Sequence, residues 1–369
     1  MKKFLENGRV VFLGDSLTNN AMWISAIYQY YQERVDPTIR MFNCGTAGGT
    51  AQGAWLYRNI DLYRFAPTHV HIMFGANDIG RGFYRAGATE GEISKREEKM
   101  VIYRKSLVNL VEEMLSKDIT VSFCTPAPYD AETISGSENL AGCAGALLEC
   151  SQIIKDICSK YGLEYIDFNR EIYEINTALQ QRDRSLSVIS GDRVHPTETG
   201  YMCMARLFLR AQEFMDVEYP TADMIQAGGT VMPIGAGISA LREAYLPYRK
   251  LIAIEWMLLT ASHYAEYFEK PEDVRIAGMK AAMEKFNENT IEYFKTGSKF
   301  YIENLHNKEQ YFKNILELTE AIHDETGGET GDGSVSYETR DKQMKLRAGD
   351  SSSVFFQMPP MPLTLLVRR

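Results

Sequence analysis

Short apolar runs alternate with longer amphipathic stretches through about the first 215 residues. The runs Arg9–Gly14, Thr38–Cys44, His69–Phe74, Ile119–Cys124 and Leu163–Phe168 are strand-length and bounded by Gly, Pro, Asn or Asp, so they predict five strands. Val10-Val11-Phe12-Leu13 is apolar at every position rather than at alternate ones, as in a parallel strand buried on both faces. The stretches Ala21–Glu33, Ala51–Tyr63, Ser94–Lys117, Asn139–Lys160 and Glu198–Phe214 carry the longer period of helices. Strand and helix in strict alternation predict an α/β fold, a doubly wound parallel sheet with helices on both faces.

From about Pro220 the pattern changes. Gly228-Gly229 and Pro233-Ile234-Gly235-Ala236-Gly237 make a breaker-rich link, and helical patterns without strands follow to about His323. The expected organisation is an α/β domain over 1–218, a linker over 219–240, an added helical region over 241–324 and a tail of unassigned structure over 325–369. A chain of 369 residues exceeds one ordinary hydrophobic core and has room for such an addition. In the helical region Ile252, Trp256, Leu259, Phe286, Phe294, Phe312 and Ile315 stand among many aromatics at helical spacing. Such a stripe fits packing, against the sheet domain or across a homo-oligomer interface, ahead of a substrate platform.

Composition narrows the function classes. The chain is 45% hydrophobic and 24% charged, with no apolar stretch near the ~20 residues of a membrane span. A net charge of -9 argues against nucleic acid as the main partner. Lys2 and Lys3 are followed by Glu6, Asn7, Gly8 and Arg9 before any apolar run, which does not read as a signal peptide. Six scattered cysteines without a CxxC pair fit core residues in a reducing, cytoplasmic setting. His69 and His71, at period two in one strand, face one way and lack a convincing third ligand, so no metal is expected.

Ligands of open α/β sheets gather at the carboxyl ends of the strands, so the residues just past each strand carry the candidate chemistry. The first strand runs into Gly14-Asp15-Ser16-Leu17, where Ser16 is a candidate nucleophile and capping of the next helix by Asp15 or Ser16 is the competing reading. The second ends in Asn43-Cys44-Gly45-Thr46-Ala47-Gly48-Gly49-Thr50, whose glycines let a backbone N–H approach an anion. That loop half-matches a dinucleotide fingerprint, but Asn43 stands at its first glycine and it follows the wrong strand for nucleotide binding. The third ends in Gly75-Ala76-Asn77-Asp78, where the Asn77 amide can donate without carrying charge. In Gly191-Asp192-Arg193-Val194-His195-Pro196, a histidine three residues after an acid can take a proton from a serine while the acid fixes its tautomer.

Taken in order, Gly14-Asp15-Ser16-Leu17, Asn43-x-Gly45-x-x-Gly48, Gly75-x-Asn77-Asp78 and Asp192-x-x-His195-Pro196 make residues 1 to about 215 resemble the GDSL/SGNH hydrolases, a flavodoxin-like family of esterases, lipases and acyl hydrolases. The resemblance implies a Ser16 nucleophile, a His195 base, an Asp192 orienter, and an oxyanion hole from the N–H groups of Ser16 and Gly48 and the Asn77 side chain. It implies hydrolysis of an ester through an acyl-serine, with no cofactor. Substrate contacts are expected from Asp15, from Arg81 and Tyr84 in the loop after the third strand, and from Pro126 after the fourth. The substrate class this points to is a small acyl ester or a carbohydrate-linked acyl ester. The alternative is a non-catalytic binding or assembly protein on the same fold. Since every group the chemistry needs precedes residue 196, the helical region is expected to supply none.

Overall fold

The computed structural model describes residues 1–134, 137–140, 142–261, 300–301 and 303–327, with residues 271, 273–274 and 277–278. Phe286, Phe294, the side chain of Leu259 and the tail from residue 328 onward lie outside the described residues. Five parallel strands, β1 (Arg9–Gly14), β2 (Arg40–Gly45), β3 (His69–Met73), β4 (Thr120–Cys124) and β5 (Glu164–Ile166), pair in the order β2-β1-β3-β4-β5. This is the doubly wound, flavodoxin-like order, whose crevice opens where successive connections leave β1 in opposite directions. The register is level there: Gly14 stands opposite Gly45 on one side and Met73 on the other. Whatever follows β1, β2 and β3 is therefore delivered to one place.

Among the described residues, the helices with defined bounds are α1 (Ser16–Asn19), α2 (Met22–Arg34), α3 (Ala51–Tyr57), α4 (Glu90–Ser116), α5 (Gly142–Tyr161), α6 (Phe168–Gln180), α7 (Glu198–Ala211), α8 (Ala222–Gln226), α9 (Ala236–Ala261) and α10 (Lys308–Gly327). On one face of the sheet the Phe12 ring lies 5.3 Å from Trp23 of α2 and 5.9 Å from Phe208 of α7. By the two-residue period of a strand, Leu13 points the other way, where it meets α3. Strand β2 begins at Arg40, two residues later than expected, because the Asp36 carboxylate takes the N–H and hydroxyl of Thr38 and holds a turn there. Helix α3 stops at Tyr57 instead of running to Tyr63, and a 3₁₀ turn, Leu62–Phe65, follows. Between them Asp61 is drawn into a buried ion pair with Arg249 of α9. Helix α6 was not anticipated: β5 ends at Ile166, Asp167 caps the next turn, and Phe168, Ile172, Ile175 and Leu179 form its buried face.

Helix α9 opens inside the glycine-rich stretch after Pro233, and with α10 it packs onto the β2 side of the sheet. Phe312 of α10 lies 5.1 Å from Phe65 and 5.6 Å from Tyr248, and Ile315 is fully buried. Lys308 and Glu255 form a buried ion pair at 2.8 Å between the two helices. Among the described residues, no helix is long and apolar enough to cross a membrane.

His69 and His71 do face one way. Both imidazoles bond the Ser122 hydroxyl on β4, at 2.7 and 2.8 Å, and the far nitrogen of His71 lies 3.0 Å from Cys124 Sγ. Burial pushes His69 down to about 4 and His71 well below the ordinary histidine range, so both stay neutral. One hydroxyl thus bonds two ring nitrogens, and it is able to donate to one while accepting from the other. Ser122→Ala leaves both without it and is expected to destabilise the fold by roughly 1–3 kcal/mol. Urea denaturation measures this, and an unchanged midpoint would contradict the shared role.

Candidate active site

Asp15 caps, but not the helix the sequence suggested. Its carboxylate accepts from Leu17 N at 3.0 Å and opens the one-turn helix α1, while α2 begins three residues beyond it at Met22 with no side-chain cap. Ser16 is therefore the first residue of a capped turn directly past β1, and it is half-buried. The turn is held from several sides. Trp23 Nε1 donates to Leu17 O at 3.2 Å, Asn19 Nδ2 to Gly45 O at 3.0 Å, and Asn43 Nδ2 to Asn19 O at 3.2 Å.

The loop before α7 brings His195 Nε2 to 2.7 Å from Ser16 Oγ. Asp192 accepts from His195 Nδ1, and its other oxygen takes the N–H groups of His195 and Val194 at 2.9 and 3.0 Å and the Ser190 hydroxyl at 2.8 Å. Burial alone would raise the Asp192 carboxyl, but the hydrogen bond and charge of His195 and the two backbone donors outweigh it and hold the group well below the usual carboxylate range. A carboxylate on Nδ1–H leaves the lone pair of Nε2 facing the serine, which is the tautomer a general base requires.

Gly48 takes a left-handed φ of +73°, open to glycine at no steric cost, as the loop from Thr46 turns back beneath the end of β1. Thr46 N donates to Gly14 O at 2.9 Å, and Asn77 Nδ2 donates one hydrogen to Gly49 O at 3.0 Å. The second amide hydrogen of Asn77 remains for a ligand. Asp78 turns inward: its Oδ1 accepts from Ala51 N, the first N–H of α3, at 2.8 Å, while Oδ2 is buried without a hydrogen bond. Burial pushes Asp78 up to about 7 against that N–H, and the nearby charge of Asp15 adds to the rise; burial likewise pushes Asp15 up to about 6.

The expected substrate contacts separate into two kinds. Asp15 is 2% exposed and committed to Leu17 N, and Pro126 packs on Gly75 while its carbonyl accepts from Asn169 Nδ2 at 3.2 Å. Both are supports beneath the surface. Arg81 and Tyr84 are half-buried in one 3₁₀ turn past Asn77; Arg81 acts electrostatically on Asp15, and the Tyr84 ring lies under the Arg96 guanidinium at 4.5 Å.

Two supporting residues escaped the sequence reading. The motif Asn43-x-Gly45-x-x-Gly48 contains Asn43 without giving it a role, yet its side chain bonds both Gly45 N, at 2.8 Å, and the helix of Ser16. Arg193, between Asp192 and His195, is 7% exposed and left-handed at φ +68°. Its guanidinium donates to the carbonyls of Asp130, Thr133 and Ser137 at 3.0, 3.1 and 2.9 Å, tying the histidine turn to the loop past β4. An arginine inside a Gly-Asp-x-x-His turn was the available signal, since a long cation there needs acceptors.

Residues 12–203 match the GDSL-like Lipase/Acylhydrolase family. An acetylxylan esterase of Geobacillus stearothermophilus is 26% identical over 172 residues, which span 47% of this chain and 71% of that protein. A solved structure described as a gut microbial diltiazem-metabolizing enzyme superposes with a TM-score of 0.67 at 18% identity, over 88% of this chain and 96% of that one, a likeness of fold.

The buried acids make stability depend on pH in a definite sense. The folded protein holds the Asp78 proton more tightly than the unfolded chain, so this group's contribution is present at low pH and is lost as pH rises through the window from its ordinary 3.8 to about 7. Asp78→Asn keeps an acceptor for Ala51 N and carries no charge. Between about pH 4 and about pH 8 its unfolding free energy should gain on the order of 1–4 kcal/mol relative to the parent. Parallel denaturant titrations at the two pH values decide it; a difference independent of pH would contradict a raised Asp78.

Proposed function

The chain belongs to the GDSL-like lipase/acylhydrolase family and is a serine carboxylic ester hydrolase, and on that premise we propose that Ser16 is its nucleophile and that it acts on small acyl esters, acetylated carbohydrate among them. The observation that carries the assignment is the row Ser16 Oγ to His195 Nε2, at 2.7 Å, with Asp192 on Nδ1. His195 takes the hydroxyl proton as Oγ attacks the ester carbonyl. The carbonyl oxygen gains negative charge in the pocket lined by the N–H groups of Ser16 and Gly48 and the free hydrogen of Asn77, and the alcohol leaves with the proton from His195. Water then attacks the acyl-serine by the same route, returning the proton to Ser16. Asp192, fixed by three further donors, keeps the imidazole aligned through both halves.

The acetyl and carbohydrate parts of the proposal are supported by the acetylxylan esterase relative. Non-catalytic binding on the same fold is not favoured, because it gives no reason for an imidazole and carboxylate aligned on one serine. We expect p-nitrophenyl acetate to be cleaved faster than esters of longer chain, with release of acetate from acetylated xylo-oligosaccharides. Ser16→Ala should lower kcat by roughly 10⁴-fold or more while circular dichroism stays unchanged. Wild-type turnover in that variant would remove Ser16 from the mechanism, and preference for long acyl chains would remove the substrate class.

A further inference from the structure

We propose that helix α9, which lies outside the family-matched residues 12–203, is a positioning element for the oxyanion loop, with Trp256 as the residue through which it acts. This rests on the reading of Ser16, Gly48 and Asn77 given above. The sequence of α9 repeats Ile238, Arg242, Tyr245, Arg249, Ile252 and Trp256 at steps of four and three, which places all six along one stripe of a helix. Five of the six are buried and Arg242 is half-buried.

Every seventh residue of the stripe meets a segment that carries site chemistry. Arg242 Nε donates to Asn20 O, just past the helix of Ser16, at 3.1 Å. Arg249 donates to Asn43 O, at the end of β2, at 3.3 Å, and is neutralised by Asp61 at 2.8 Å. The Trp256 indole lies against Gly53, so closely that a Cβ there would stand 1.9 Å from Nε1. Gly53 is in α3, whose cap Thr50 ends the Gly48 loop and whose first N–H is held by the neighbour of Asn77. Ile252 and Trp256 line one small cavity together with Gly14, Thr46, Gly49 and Thr50. The indole therefore sets how far α3 and the loop ahead of it can retreat from the serine. Gly48 and Gly49 have no side chains of their own to add to the loop's bonds with Gly14 and Asn77 in fixing that distance, and oxyanion donors act only when placed before the reaction.

The test uses the full chain and p-nitrophenyl acetate, with active sites titrated so that kcat is expressed per competent site. Trp256→Ala and, from the opposite side of the contact, Gly53→Ala should each lower kcat per site by roughly 10- to 100-fold with KM within about twofold, as expected for a displacement near 1 Å. Trp256→Phe should recover part of the loss. In the double variant the added Cβ has room, so its kcat should equal that of Trp256→Ala alone. Unchanged kcat per site with only a lower titratable fraction would make α9 a structural prop and overturn the proposal. A raised KM at constant kcat would overturn it as well, moving Trp256 to substrate binding. If Trp256→Ala does not fold, Trp256→Phe and Gly53→Ala decide by the same criteria. Failure of the underlying reading is separate, since it requires Ser16→Ala to stay active.

Discussion

Strand β1 lies between β2 and β3, all three parallel and ending level, and the site depends on that placement more than on any single contact. Parallel strands ending together send their exit loops to the same edge, so the residues past Gly14, Gly45 and Met73 meet without long connections. Ser16 arrives two residues after β1 and Gly48 three after β2, so little chain freedom separates either from the sheet. Asn77 comes four residues after β3 and is tied back by its bond to Gly49 O. The histidine comes from far along the chain, and its turn is fixed instead by Asp192 and Arg193.

Polar groups hold this edge at some cost to stability. Asp15 and Asp78 are buried where their charged forms are disfavoured, yet each serves a backbone N–H at the start of a helix that carries or follows a site loop. Arg193 takes a backbone conformation that an L-residue adopts reluctantly and is retained by three carbonyls. Local rules broken in this way cluster around reactive groups, where an exact arrangement matters more than the last increment of stability.

Much of the fold was legible because its signals are local. Val10-Val11-Phe12-Leu13 announces a strand buried on both faces, and the polar residues past each strand end announce an edge. That Ser16, Asp192 and His195 should meet was implied by the resemblance of the four motifs to the GDSL/SGNH hydrolases, and the three side chains lie in one hydrogen-bonded row. Other features depend on distant partners. Asn43 looks like a flawed glycine motif until Asn19 and Gly45 are beside it. Helix α6 hides behind the apolar end of β5, because Ile166 and Phe168 read as one strand until Asp167 is seen as a cap. The stripe from Ile238 to Trp256 has an audible period, but only the sheet domain on which it lies shows that each heptad step lands on a site segment.

In the proposed mechanism Ser16 carries the acyl group. Treating the protein with a fluorophosphonate and mapping the modified peptide by mass spectrometry tests it most directly. A single adduct on Ser16, rising in step with the loss of esterase activity, is the predicted result. An adduct on another residue, or full activity after Ser16 has been modified, would rule that mechanism out.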